Sequence, residues 1–187
     1  MVVSYNSGFI IMQEQVKEFM IINGQYPCDE GIVTLLPFRF GLIDEEVEEL
    51  KSAVNFVDIL DAIVDILYVG FGTLISLEAE VEDEREEFGD WQRIPLDGDM
   101  LAMGIERINT DELAAARTRE EFIAATEDII FQTIAIGRMF DLTGAFNEVH
   151  QSNLSKLGED GKPIKNEIGK VMKGPNYKPP QLKQYTY

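Results

Sequence analysis

Glu45, Glu46 and Glu49 stand together in "LIDEEVEELKSAV", and Asp61 and Asp65 follow in the apolar run "DILDAIVDILYV". On a helix Glu45 and Glu49 are i and i+4 and share a face, as Asp61 and Asp65 do. Glu46 lies about 100° round from Glu45. If the two segments form an antiparallel hairpin, both pairs enter one groove. Hard oxygen ligands in one groove suit Mg²⁺ or Mn²⁺, which favour carboxylates and retain water. Such a centre activates water and screens a phosphate's charge at the same time.

The other acidic residues nearby have plainer roles. Glu48 lies off the site face and reads as a solvated charge. Asp58, at the start of its segment, complements the helix dipole. Asp65 is different: Ile63, Val64, Ile66 and Leu67 surround it in sequence, and an unpaired carboxylate buried among them is costly. A ferritin-like di-iron centre needs Glu-x-x-His pairs. The only histidine, His150, follows Glu148 by two positions, so that alternative fails.

The elements that must position these groups read as helices. Residues 7–23 carry apolar side chains near helical spacing and stop at Asn23-Gly24. Residues 24–41 hold Pro27, Gly31, Pro37 and Gly41 and are expected to be a loop. A second helix is expected over 42–54 with Asp44 in its first turn, a break at Asn55, and a third, largely apolar helix over 57–77 at the centre of a bundle. An acidic run follows from Glu78 to Asp90, then turn signals at Pro95, Asp97-Gly98 and Gly104. Residues 110–140 are again helical, with starts at Thr110 and Thr118, and Glu127-Asp128 there is a competing acidic pair. Beyond "EVHQSNLSK" the chain turns irregular. Sustained strand alternation is nowhere found, and the expected class is all-α.

At 187 residues with 45% hydrophobic composition, one globular domain is expected. Apolar stretches are interrupted by Asp or Glu before twenty residues, so no membrane span is expected. No signal peptide is expected at the N-terminus, and Cys28, the lone cysteine, permits neither an internal disulfide nor a thiolate zinc cluster. A cytoplasmic protein is expected (host cytoplasm if of phage origin). The net charge of −18 argues against general nucleic-acid binding. Residues 154–187 reverse it locally, with seven Lys against Glu159, Asp160 and Glu167, a balance of +4. A basic tail on an acidic body can bind that body, an anionic ligand, or both.

Three blocks carry a family resemblance. "RFGLIDEEVEEL" resembles the R-x-x-LI-x-EE-x-x-EL signature of MazG-like, all-α nucleoside triphosphate pyrophosphohydrolases. "DAIVDILYVGFGT" and "EVHQSNLSKLGEDGKPIKNEIGKVMKGPNYKPPQL" are similar to the phosphoribosyl-ATP pyrophosphohydrolase-like phage and bacterial branch. The likeness runs over roughly residues 12–77 and 131–182; residues of about 78–130 are an insertion relative to it.

The resemblance implies Mg²⁺-dependent hydrolysis of a (deoxy)nucleoside triphosphate to monophosphate and pyrophosphate, in a homodimer or homotetramer. It implies metal ligation by Glu45, Glu49, Asp61 and Asp65, with Glu46 as the base acting on water. Many members carry Glu three residues before the second-helix Asp; here that position is Ala62, and Asp61 is the nearest substitute. Asn153, Lys156, Lys170 and Lys173 fall at the substrate-binding positions. Alternative functions are phosphoribosyl-ATP hydrolysis and a non-catalytic, nucleotide-binding regulatory role.

Overall fold

The computed structural model describes residues 7–28, 31–79, 96–167 and 169–186. Among them the fold is all-helical: α1 Ser7–Ile22, α2 Ile32–Ser52, α3 Phe56–Ser76, α4 Gly98–Arg107, α5 Asp111–Ala115, α6 Arg119–Gly137 and α7 Leu142–Leu154. A single 3-10 turn, Leu182–Tyr185, closes the described tail. Most of the acidic run, with Trp91 and Pro95, lies outside the described residues.

The helix α3 occupies the centre and packs against α1, α2, α6 and α7. Asn55 starts it by accepting hydrogen bonds from the Val57 and Asp58 backbone N–H groups, and its amide donates to Asp58 at 2.6 Å. Leu60, Ile63, Val64, Ile66, Leu67, Phe71 and Leu74 are fully enclosed, so most of the circumference is core. Gly70 permits the close approach of α6: a Cβ there would lie 2.8 Å from Ile130 Cγ1. By length and composition α3 is long and apolar enough to cross a membrane, which corrects the expectation from its interrupting aspartates. Here it is mostly buried as the core of the bundle.

Two local expectations are overturned. The segment 24–41 is not all loop, because α2 begins at Ile32 and runs through Pro37. Proline forfeits one ladder hydrogen bond. Burial of Leu35 and Arg39 on either side holds that stretch in helical register all the same. Asp44 is consequently mid-helix, where its carboxylate accepts a 2.5 Å hydrogen bond from Thr110 Oγ1 ahead of α5. The turn signals at Asp97-Gly98 and Gly104 instead belong to α4: Asp97 caps it through Met100 N–H, and Gly104 sits where a Cβ would meet Ile136 Cγ2 at 2.4 Å. The start at Thr118 is a full capping box with Glu121.

The tail is irregular but anchored. Isolated bridges join Leu157 to Pro163 and Lys165 to Val171. Ser152 Oγ donates to Lys178 O, Lys178 N–H donates to Ser155 Oγ, and Gln181 N–H donates to Glu148. Leu182 is buried in the core. These bonds lay the basic segment back over α7.

Candidate functional site

A three-residue link folds α3 back along α2, and the facing surfaces hold the acidic residues. Glu46 and Asp65 line a common cleft. Glu46 is buried and Asp65 half-buried, whereas Glu45 and Glu49 are exposed at the rim and Asp61 is half-buried. Burial first, then repulsion from Asp65, Glu49 and Glu45 against the pull of Lys170, pushes the Glu46 carboxyl up to about 8. Burial and Asp61 push Asp65 up to about 7, with Glu49 adding and Lys156 and Lys170 opposing. Asp61 is also raised, by burial and then by Glu49 and Asp58. The five carboxylates therefore share one electrostatic field.

Cations from the tail enter that field. Lys170 lies 2.7 Å from Glu45 Oε2; burial alone would lower its pKa, but Glu45, Glu46 and Glu49 raise it. Lys156 lines the same cleft, and burial lowers its pKa although Asp65 and Glu46 counteract this. Lys173 is exposed, with its ammonium 4.9 Å from the centroid of the Tyr177 ring, and its charge reaches Asp61. Asn153 is buried at the cleft wall. Ala62, where the resemblance would have Glu, is buried in the core. The competing pair is on α6, where Asp128 accepts from Gln132; neither Glu127 nor Asp128 lines this cleft.

The cleft encloses about 720 Å³ of space, including open solvent, and has two chemically distinct linings. Val16, Phe19, Met20, Phe38, Leu42 and Val69 are apolar; Glu46, Asp65, Asn153, Lys156 and Lys170 are polar or charged. Val16, Phe19, Met20 and Leu42 stand at helix-face spacing in the sequence, but none of the six apolar residues was assigned to a site by it. Arg39, the first residue of the "RFGLIDEEVEEL" block, also lines it; it is buried and donates to Ser76 Oγ at 2.5 Å. Its charge in an otherwise apolar helix face is the signal that could have flagged it.

No protein-family model, curated protein or solved structure matches the chain.

Among the described residues, no three Asp, Glu, His or Cys side chains close into a preformed metal cage. The donor set nevertheless fits a hard divalent cation. It is all carboxylate, Glu46 and Asp65 line the cleft with Glu45, Glu49 and Asp61 near enough to act on them, and burial first, then like charge, raises the pKa of both lining groups. Mg²⁺ in particular keeps several waters and needs only one or two carboxylates besides a ligand's phosphates. What the arrangement offers is a half-neutralised acidic pocket, with lysines at hand and an apolar recess alongside.

Proposed function

We propose that this chain is a MazG-like, Mg²⁺-dependent pyrophosphohydrolase of (deoxy)nucleoside triphosphates, releasing monophosphate and pyrophosphate. The observation that carries this reading is the two-sided cleft: Glu46 and Asp65 beside Lys156 and Lys170, continuous with the apolar lining of Phe19, Phe38 and Leu42. A nucleotide has the same division, a flat base at one end and a polyanion at the other.

In this reading Glu45, Glu49, Asp61 and Asp65 hold Mg²⁺, which when bound neutralises phosphate charge and acidifies water. Lys156 and Lys170 donate to phosphate oxygens. Lys173 approaches the same group from the rim. Glu46 takes the proton of the water whose oxygen attacks phosphorus, and the bond to the departing pyrophosphate breaks. A carboxyl near 8 is mostly protonated at neutral pH, so positive charge arriving in the cleft is needed to free it as a base. Nucleotide-pool control or house-cleaning in the cytoplasm is the corresponding role.

A homodimer or homotetramer goes with it. The exposed face of α1 carries Ile10, Ile11, Ile21 and Ile22, an apolar edge suited to a second copy of the chain.

The deciding experiment is a nucleotide panel with Mg²⁺, scoring pyrophosphate against phosphate. Pyrophosphate release that disappears with EDTA is expected. Tight nucleotide binding without turnover would replace the enzyme with a binding protein, and phosphate release alone would exclude this bond cleavage. Sedimentation of wild type against Ile11→Lys/Ile22→Lys tests the assembly: a monomeric wild type overturns it.

A further inference from the structure

Behind the cleft, three side chains form a hydrogen-bonded file that ends beside a fourth, Asn153. His150 Nε2 lies 3.1 Å from Glu18 Oε2, and His150 Nδ1 lies 3.0 Å from the Tyr68 hydroxyl. The Asn153 side chain stands beside that hydroxyl and favours its ionised form, as a donor to the phenolic oxygen does. The rings of Tyr68 and His150 stack at 6.2 Å, and Phe146 stacks on Tyr68 at 5.5 Å, so the file has fixed neighbours. His150, Tyr68 and Asn153 are buried, while the Glu18 side chain is 56% exposed at the outer end.

The hydrogens in this file can be assigned in only one sense. A carboxylate accepts and does not donate, so Nε2 of His150 carries the hydrogen. Burial lowers the pKa of the imidazole, against the pull of Glu18, so at neutral pH the ring has a single N–H. Its Nδ1 is therefore a bare acceptor. The one hydrogen of the Tyr68 hydroxyl goes to Nδ1, leaving the phenolic oxygen to accept from Asn153. The amide must then turn its NH₂ to Tyr68, and its carbonyl oxygen is left for the cleft that Asn153 lines.

We infer that Glu18, His150 and Tyr68 are positioning residues that fix the amide polarity of Asn153, so that the cleft accepts a hydrogen bond from the ligand at that point. Resting on the nucleotide reading above, the donor between the base end and the phosphate end is a sugar hydroxyl. A nucleotide lacking that hydroxyl is discriminated against.

Two measurements test this. His150 is the only histidine, so long-range ¹H–¹⁵N spectra of the intact protein report its tautomer without ambiguity. The Nε2–H form is expected in wild type and in Glu18→Gln, whose amide oxygen can still accept. Glu18→Lys presents a donor instead, and the Nδ1–H form is expected. Glu18 is largely exposed, so these variants should fold. The second measurement compares the four deoxynucleoside triphosphates with their 2′,3′-dideoxy counterparts. Wild type and Glu18→Gln should bind the dideoxy forms roughly three- to tenfold more weakly, the range expected for one hydrogen bond. In Glu18→Lys that ratio should collapse toward one, through weaker binding of the deoxy forms. An Nδ1–H histidine in wild type overturns the inference, as does an unchanged ratio in Glu18→Lys once its tautomer has switched. An Nε2–H histidine in a chain that binds none of these nucleotides supports the file and fails the nucleotide reading alone.

Discussion

Lys170 Nζ lies 2.7 Å from Glu45 Oε2, tying the basic tail to the acidic helix across 125 positions of sequence. Both side chains are more than a third exposed, at 38% and 48%, so the pair adds only about 0–1 kcal/mol to stability. Its weight falls on the ligand instead. Lys170→Ala should leave the melting temperature nearly unchanged and raise the nucleotide KM by roughly tenfold, with a smaller effect on kcat. Salt should weaken binding more in wild type than in the variant. Steady-state kinetics across ionic strength provide the check, and an unchanged KM removes Lys170 from the phosphate site.

Glu46 stands apart from the exposed rim carboxylates because it is buried against Asp65. Glu46→Gln should cut kcat by on the order of 10²–10⁴-fold with little change in Mg²⁺ or nucleotide affinity. Calorimetric Mg²⁺ titration beside kinetics separates base from ligand. Equal loss of metal binding in Glu46→Gln and Glu45→Gln would make Glu46 a ligand.

Asp65→Asn, Asp61→Asn and Glu49→Gln should raise the Mg²⁺ concentration needed for half-maximal rate while circular dichroism stays helical. Asp65 should show the largest effect, since it alone among the three lines the cleft. Wild-type turnover of Asp65→Asn at limiting Mg²⁺ would exclude it as a ligand.

Burial and crowding of these carboxylates have a thermodynamic signature in metal-free protein. Glu46 is raised from 4.5 to about 8 and Asp65 from 3.8 to about 7, so the folded state binds protons that the unfolded chain has released. Stability from these groups is therefore full below about pH 4 and is lost as pH rises toward 7 to 8. His150, with its lowered pKa, acts in the opposite sense near its ordinary range. The difference between wild type and Glu46→Gln isolates one group: in EDTA, the variant's melting temperature should gain on wild type as pH climbs from 5 to 8. A constant difference across that range would place Glu46 in a solvated setting.

Gly104→Ala tests the packing that positions α4. Alanine favours helix over glycine, but its Cβ would lie 2.4 Å from Ile136 Cγ2, on a β-branched side chain with little room to turn. A net loss of about 1–3 kcal/mol is expected by chemical denaturation. A stabilised variant would mean that α4 and α6 separate easily.

Sequence pattern disclosed what is local. The Asn55 break, the Thr118 capping box and the apolar girth of α3 all follow from residues within a turn or two of one another. What escaped was long-range. Pro37 and Gly104 read as punctuation until the burial of Leu35 and the approach of Ile136 are known. Asp44 resembled a first-turn acid because its partner, Thr110, is 66 residues away. In the cleft, the facing carboxylates and the lysines could be named from spacing and resemblance. The apolar wall and the Glu18–His150–Tyr68 file could not, since their members come from α1, α2, α3 and α7 and meet only after folding.

The order in which the cleft's parts leave the ribosome matters as well. Its carboxylates are complete by Asp65, whereas Lys156 and Lys170 are translated about a hundred residues later. A nascent chain thus exposes its anionic half long before the counter-charges exist. Products shortened ahead of Lys156 would retain the acidic hairpin and lack its lysines, so quality control by activity and quality control by folding would judge them differently.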